Sequence, residues 1–326
     1  MQSKTTIKLS LALFLALCLG SYPDRARSEV TFEPSEFRDR AILTAVPDEP
    51  RALVFVFHGT GGSSRFIDRP QTRAVVDRLY RAGYALVSAD SKDRGPRNKW
   101  KIKDAGAKSN IDIRDMLALR EHLVETTGIE AATPVFTMGM SNGGAFCSLF
   151  GYVASANGVP VAAIANYMGP IPAAARALFD SGVPFPPLFI VAAENDGLVG
   201  LQTIRKGVGI LEKGGTKIEL HVVKEQPLTR NNLLDTGLIE ESNADRLMDF
   251  LHRGGYIDPN GSRLYKADAP LTRTDLEALL KPALEAGFQR GDLNAVLVVW
   301  GAHQMRSDFA EQQFSFFERH MGVSGR

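Results

Sequence analysis

The residues best suited to chemistry are a serine set among glycines, Gly139-Met-Ser141-Asn-Gly143-Gly144, entered through the apolar run Pro134-Val-Phe-Thr-Met and left through a helix-compatible one. A serine on a strained strand-to-helix turn has its hydroxyl pushed out of the sheet, and glycines two residues to either side keep that turn free of collisions. Such a serine attacks acyl carbons. It then needs N–H donors for the oxyanion, a base to take its proton, and a group that orients the base.

The donors are sought where a strand runs into a glycine-rich loop, because glycine permits close backbone approach. Val54-Phe-Val-Phe-His58-Gly-Thr60-Gly61-Gly62 is such a place. It nominates the N–H of Thr60 or Gly61, together with that of Asn142, which follows the serine. A phosphate loop is the competing reading, but neither G-x-G-x-x-G nor G-x-x-x-x-G-K-[ST] occurs there. His58 reads as a brace for the loop.

Six histidines compete to be the base. His303 follows an apolar run at 293–300 that reads as a strand and precedes a helical pattern at 309–320, so it falls on a strand-to-helix loop, where α/β sheets assemble sites. His221 alternates with apolar residues inside a strand, His252 lies in a helical pattern and His320 is near the chain end. His122 reads as a surface or packing residue. For the orienting carboxylate, Asp196 precedes Gly197 just after the buried run 187–193, and Glu194, closer to the strand end, is its rival. The chain order is then Ser141, Asp196, His303.

These residues need a scaffold. Apolar runs at 52–58, 85–89, 135–139, 161–167, 188–192, 218–223 and 295–300 predict strands buried on both faces. Amphipathic stretches lie between them, one over 111–124 that stops at Gly128. The pattern predicts an α/β fold with a mostly parallel central sheet flanked by helices. Two connections are long: 91–110, which is basic, and 225–292, which carries helical patterns and is expected to form an inserted excursion before the last strand. No internal repeat or linker is visible.

The first residues, with Lys4, Lys8 and the apolar run 9–19, read as a secretory signal peptide with a small-x-small cleavage site at Ala26-Arg27-Ser28, a cut after Gly20 being the alternative. Residues 1–28 are thus expected to be a leader and 29–326 a single domain. Cys18 invites a lipoprotein reading, but Leu17 stands where that motif has Gly or Ala. Removal of the leader takes four basic residues and one acidic residue, moving the net charge from +1 to −2. That balance gives no reason to expect nucleic acid or an anionic membrane as partner. Only Cys147 would remain, so no intramolecular disulfide is expected.

With these parts in place the chain resembles the α/β-hydrolases, in particular the secreted polyhydroxybutyrate depolymerase and feruloyl esterase group of serine esterases. The resemblance rests on His58–Gly62, the helix ending at Gly128, Gly139–Gly144 and the acidic loop at Asp196. It implies hydrolysis of a polyester or plant-polysaccharide-type ester through an acyl-serine, with Ser141, Asp196 and His303 as triad. The long passage from Asp196 to His303 departs from the simplest layout of that group, and His221 would lie in the last strand of a shorter homologue. No cofactor is implied, and no H-E-x-x-H or other close ligand spacing suggests a metal. Trp100, in the basic excursion, is the candidate pocket wall, with a partly buried packing role as the equal alternative. A serine peptidase of the same fold and a non-catalytic binding protein on the same scaffold are the alternatives.

Overall fold

The structure, a computed structural model, describes residues 30–95, 98–180, 182–267 and 269–322. The expected leader, with Cys18, lies outside them. Residues 1–31 and 32–326 are separate units, and all regular structure among the described residues belongs to the second.

An antiparallel pair comes first, β1 (Glu33–Glu36) and β2 (Ala41–Ala45). From there strands and helices alternate: β3 (Ala52–Phe57), α1 (Pro70–Arg81), β4 (Tyr84–Ala89), α2 (Ile111–Thr126), β5 (Val135–Met140) and α3 (Asn142–Ala156). They continue with β6 (Val161–Tyr167), α4 (Ala173–Phe179), β7 (Leu188–Ala193), α5 (Leu201–Lys213) and β8 (Ile218–Val223). The eight strands form one sheet in the order β1-β2-β4-β3-β5-β6-β7-β8, antiparallel at β1–β2 and β2–β4 and parallel elsewhere. Every residue of β3, β4, β6 and β7 is buried, as parallel strands covered by helices on both faces must be. The register sets Phe57 beside Gly139 and Met140 beside Tyr167, so the carboxyl ends of β3, β5 and β6 lie level.

Six of the seven expected strands form within a residue of their expected bounds. The seventh does not. Residues 295–300 lie in α9 (Arg290–Val299) and its C-cap, so the helical excursion follows the last strand instead of preceding it. That excursion consists of α6 (Arg230–Leu234), α7 (Glu241–Arg253), α8 (Arg273–Glu285) and α9, and the chain then closes with α10 (Ala310–His320). The reason is burial on all sides: α9 is the central helix of a second hydrophobic core, with Leu247, Leu251, Leu279 and Ala283 packed in the same cluster. A helix surrounded in this way loses its polar stripe and reads as a continuous apolar run. Its start is marked by a capping box in which Gln289 and Asp292 bond each other's backbone N–H.

The basic excursion at 91–110 is pinned from inside. Asp112 at the start of α2 accepts from Lys92 N (2.9 Å), Lys101 N (2.8 Å) and the buried guanidinium of Arg40 (2.8 Å). Arg40 also reaches Asp115 at 2.9 Å and the carbonyl of Asp90 at 2.9 Å, so its charge is fully satisfied despite burial.

Candidate active site

Ser141 stands between β5 and α3 with φ 59° and ψ −119°, a conformation non-glycine residues rarely adopt and which costs of order 1–3 kcal/mol. Two backbone bonds hold it there: its N–H donates to Tyr167 O (2.8 Å) and its carbonyl accepts from Ala145 N (2.9 Å). The neighbouring glycines are steric necessities. A Cβ on Gly139 would lie 2.4 Å from Gly143 O, and one on Gly143 would lie 2.3 Å from Phe57 O and 2.4 Å from His58 O. The start of α3 therefore presses directly on the end of β3.

That contact brings the glycine-rich loop to the serine. Gly59 is the loop glycine that approaches it, since a Cβ there would be 3.4 Å from Ser141 Cβ and 3.2 Å from Met140 O. Nothing in the sequence singles out Gly59, because the G-T-G-G pattern carries no signal of which glycine makes the approach. Of the two nominated N–H groups, that of Gly61 is taken by Asn98 O at 2.9 Å, which removes it as an oxyanion donor. Thr60 is exposed beside it. Asn142 opens α3, so its N–H is one of those a helix cannot satisfy internally. Its side chain accepts from Trp100 N (2.7 Å) and donates to Trp100 O (3.2 Å), fixing the first turn.

Trp100 is not a pocket wall. It is 1% exposed, stacks on Phe146 with centroids 4.5 Å apart, and donates its Nε1–H to His58 O at 3.0 Å. His58 is equally committed: Nε2 accepts from Ser91 N (3.1 Å) and Nδ1 bonds Gly59 O (2.8 Å), which assigns the proton to Nδ1. Burial pushes its pKa down to about 4, against the raising effect of the Gly59 carbonyl, so it is neutral at ordinary pH. It braces the loop.

At the other side of the sheet end, Asp196 and His303 meet. His303 Nδ1 lies 2.7 Å from Asp196 Oδ2, with the carboxylate fully buried and the imidazole 5% exposed. Asp196 Oδ1 accepts from Leu198 N (2.9 Å) and Val199 N (3.0 Å). Burial raises the Asp196 pKa, but the hydrogen bond and charge of His303, with those two N–H donors, outweigh it and hold the carboxyl below its ordinary value. Glu194 is exposed and stands outside this arrangement. His303 Nε2 is buried and makes no hydrogen bond among the described residues. His221 lies in β8 against Phe189 (centroids 4.6 Å apart) and Phe309 (5.4 Å) and has no part in the pair. Cys147, also buried, donates Sγ–H to Gly144 O (3.1 Å) and its pKa is pushed up by desolvation, so it is no nucleophile.

The loop that carries His303 leaves α9, not a strand, and a second network ties it to the acidic loop. Asn195 donates its Nδ2–H to Trp300 O (2.9 Å) and Glu225 Oε2 (2.5 Å), and its N–H bonds Gly301 O (3.1 Å). Glu225 in turn receives Arg263 at both oxygens, 3.0 and 2.9 Å, and Arg263 also donates to the carbonyls of Tyr265, Lys266, Ala267 and Ala269. The excursion thus supplies, through Arg263 and Glu225, the clamp that sets the two loops against each other. Sequence reasoning misses both, because their partners are far apart in the chain.

A cavity of about 550 Å³ opens beside these groups. Met140, before Ser141, and Gln304 and Met305, after His303, lie in its wall, and Leu280, Arg290 and Val298 of the excursion face them.

Among known proteins, no family model matches the chain and no curated sequence is similar to it. Several solved structures are. Esterase PE8 aligns with TM-score 0.45 and 18% identity over 69% of this chain and 99% of its own. An esterase of Pyrococcus furiosus aligns with 0.44 and 18% over 69% and 93%, and an acetyl xylan esterase from Aspergillus awamori with 0.44 and 12% over 56% and 80%. The strand order, the sharp turn at Ser141 after β5 and the acidic loop after β7 give this chain an α/β-hydrolase fold.

Proposed function

We propose that the protein is a serine hydrolase of carboxylic esters. Ser141 attacks the ester carbonyl, and His303 Nε2 takes the hydroxyl proton and returns it to the leaving alcohol. Water then deacylates the acyl-serine by the same route in reverse. Asp196 holds His303 with Nδ1 protonated and stabilises the imidazolium. The N–H groups of Asn142 and Thr60 receive the oxyanion. The observation that carries the reading is the Asp196–His303 pair: a buried carboxylate after β7 fixes one ring nitrogen while the other is left without a partner among the described residues, and the strained Ser141 follows β5 two strands away in the same sheet. A buried nitrogen kept free at a cost in stability is what a base needs. The sequence resemblance extends the proposal to secretion and to polyester or plant-polysaccharide-type esters.

The test is hydrolysis of p-nitrophenyl acetate and butyrate by wild type, Ser141→Ala, His303→Ala and His221→Ala. Loss in the first two variants alone is the expected result. Unchanged turnover in Ser141→Ala ends the nucleophile assignment, and loss in His221→Ala with retention in His303→Ala moves the base. Peptide turnover without ester turnover makes the protein a peptidase, and turnover of neither makes it a binding protein.

A further inference from the structure

The wall of the 550 Å³ cavity has an uneven composition. Its apolar part includes Phe66, Met140, Leu238, Leu280 and Met305, its charged part is Arg69 and Arg290, and it contains no carboxylate. A volume of that size suits a small-molecule ligand.

Both arginines are exposed. Arg69 is the N-cap of α1, with no side-chain capping bond and no acidic residue in the first turn. Arg290 is the first residue of α9. Both are positions where the positive end of the helix favours carboxylates and disfavours cations. Neither arginine is in an ion pair with a described residue, and Arg69 does no more than lie 5.8 Å over the Phe66 ring. The nearby acids are engaged elsewhere: Asp68 pairs with Arg65 (3.3 Å) and Arg73 (3.6 Å), and Asp292 accepts from Gln289 N (2.8 Å) to cap α9. Two cations at two helix starts therefore line one cavity whose wall mixes apolar side chains with the amides of Gln71, Asn294 and Gln304 and supplies no counter-charge. Such a site pairs with an anion joined to an apolar body.

Resting on the ester-hydrolase reading, we propose that the cavity selects esters that carry a carboxylate, held by Arg69 and Arg290 while the apolar part of the substrate packs on the methionine and leucine side chains. Two matched pairs test this: p-nitrophenyl glutarate half-ester against p-nitrophenyl pentanoate for a carboxylate on the acyl side, and 4-acetoxybenzoate against phenyl acetate for one on the alcohol side. Wild type is expected to favour the anionic member of at least one pair in kcat/KM, with a preference that shrinks as salt is raised. Arg69→Gln and Arg290→Gln should each lower that anionic-to-neutral ratio by about tenfold, the effect of losing one charge-assisted bond. Arg65→Gln, outside the wall, should leave it unchanged. Equal rates for both members of both pairs, or a ratio indifferent to both variants, overturns the proposal while leaving ester hydrolysis standing. If no ester is turned over, titration of Ser141→Ala with monomethyl glutarate still decides: binding weakened about tenfold by either arginine change supports the site, and no binding removes it.

Discussion

His303 Nδ1 is held 2.7 Å from a carboxylate whose other oxygen is already filled by the N–H groups of Leu198 and Val199. Asp196 cannot rotate without giving up two backbone bonds, so the imidazole inherits the rigidity of the loop after β7. Asp196→Asn keeps the shape and loses the charge that fixes the tautomer. The expected result is a fall in kcat of about 10³- to 10⁴-fold on p-nitrophenyl butyrate, with the circular dichroism spectrum unchanged. A loss of less than tenfold would show that Asp196 does not orient the base.

Arg263 offers a different kind of test, because it touches neither member of that pair. Its side chain is 1% exposed and joins Glu225 to four carbonyls of the excursion, while Glu225 holds Asn195 beside Asp196. Arg263→Met strands those acceptors, and we expect a loss of about 3 kcal/mol in urea unfolding. We also expect kcat to fall by about tenfold with little change in KM, since the histidine and acid loops lose their common clamp. A stable variant with full kcat would show that the two loops are set independently of the excursion.

The pH dependence of stability has a marked contributor in His58. Its folded pKa is near 4 and its unfolded value near 6.5, so the unfolded chain binds the proton first as pH falls. Its contribution is complete above about pH 6.5 and drains away between there and pH 4, amounting to about 3 kcal/mol. His320, whose pKa is lowered by burial and by Lys217 and Arg319, acts in the same direction. Asp196, with its carboxyl held below the ordinary value, loses its contribution only at lower pH still. Comparing urea unfolding of wild type and His58→Gln at pH 7 and pH 4.5 isolates the His58 contribution: the variant should show the shallower dependence. Parallel slopes would contradict it.

The sheet is readable because its strands are buried on both faces, and continuous apolar runs such as 161–167 have few other interpretations at that length. The same rule misleads at 295–300. There Val296, Val298 and Val299 look like strand residues, yet Leu293 and Trp300 complete a helix enclosed by a second core that no local pattern announces. β1 is hidden for the opposite reason: Glu33-Pro-Ser-Glu36 is exposed throughout, so it shows no alternation. Ser141 and Asp196 stand out through the glycines beside them, whereas the case for His303 rests on a strand at 293–300 that the structure turns into α9, so its pairing with Asp196 is reached from a premise the fold does not keep. Trp100 is easily misread, because a tryptophan in a basic loop gives no sign that Asp112 draws the loop inward.

Two glycines of similar appearance should respond to alanine to very different degrees. Gly61 has φ +78° and a Cβ there would meet no atom within 4 Å, so Gly61→Ala incurs only the intrinsic cost of the left-handed region, about 1 kcal/mol. At Gly143 the added carbon would fall 2.3 Å from Phe57 O and 2.4 Å from His58 O, both backbone atoms at the end of β3. No rotamer relieves that clash. Either β3 or the first turn of α3 must retreat, and each movement pulls the glycine-rich loop away from Ser141. Gly143→Ala is therefore expected to lose about 3 kcal/mol or more and at least about 10²-fold in kcat. Gly61→Ala should keep most of its activity, since its N–H is already spent on Asn98 O. Urea unfolding and p-nitrophenyl butyrate turnover of the two variants, measured side by side, check the contrast. If Gly61→Ala proves the more damaging to turnover, the oxyanion donor lies at Gly61 after all and its bond to Asn98 must open during catalysis.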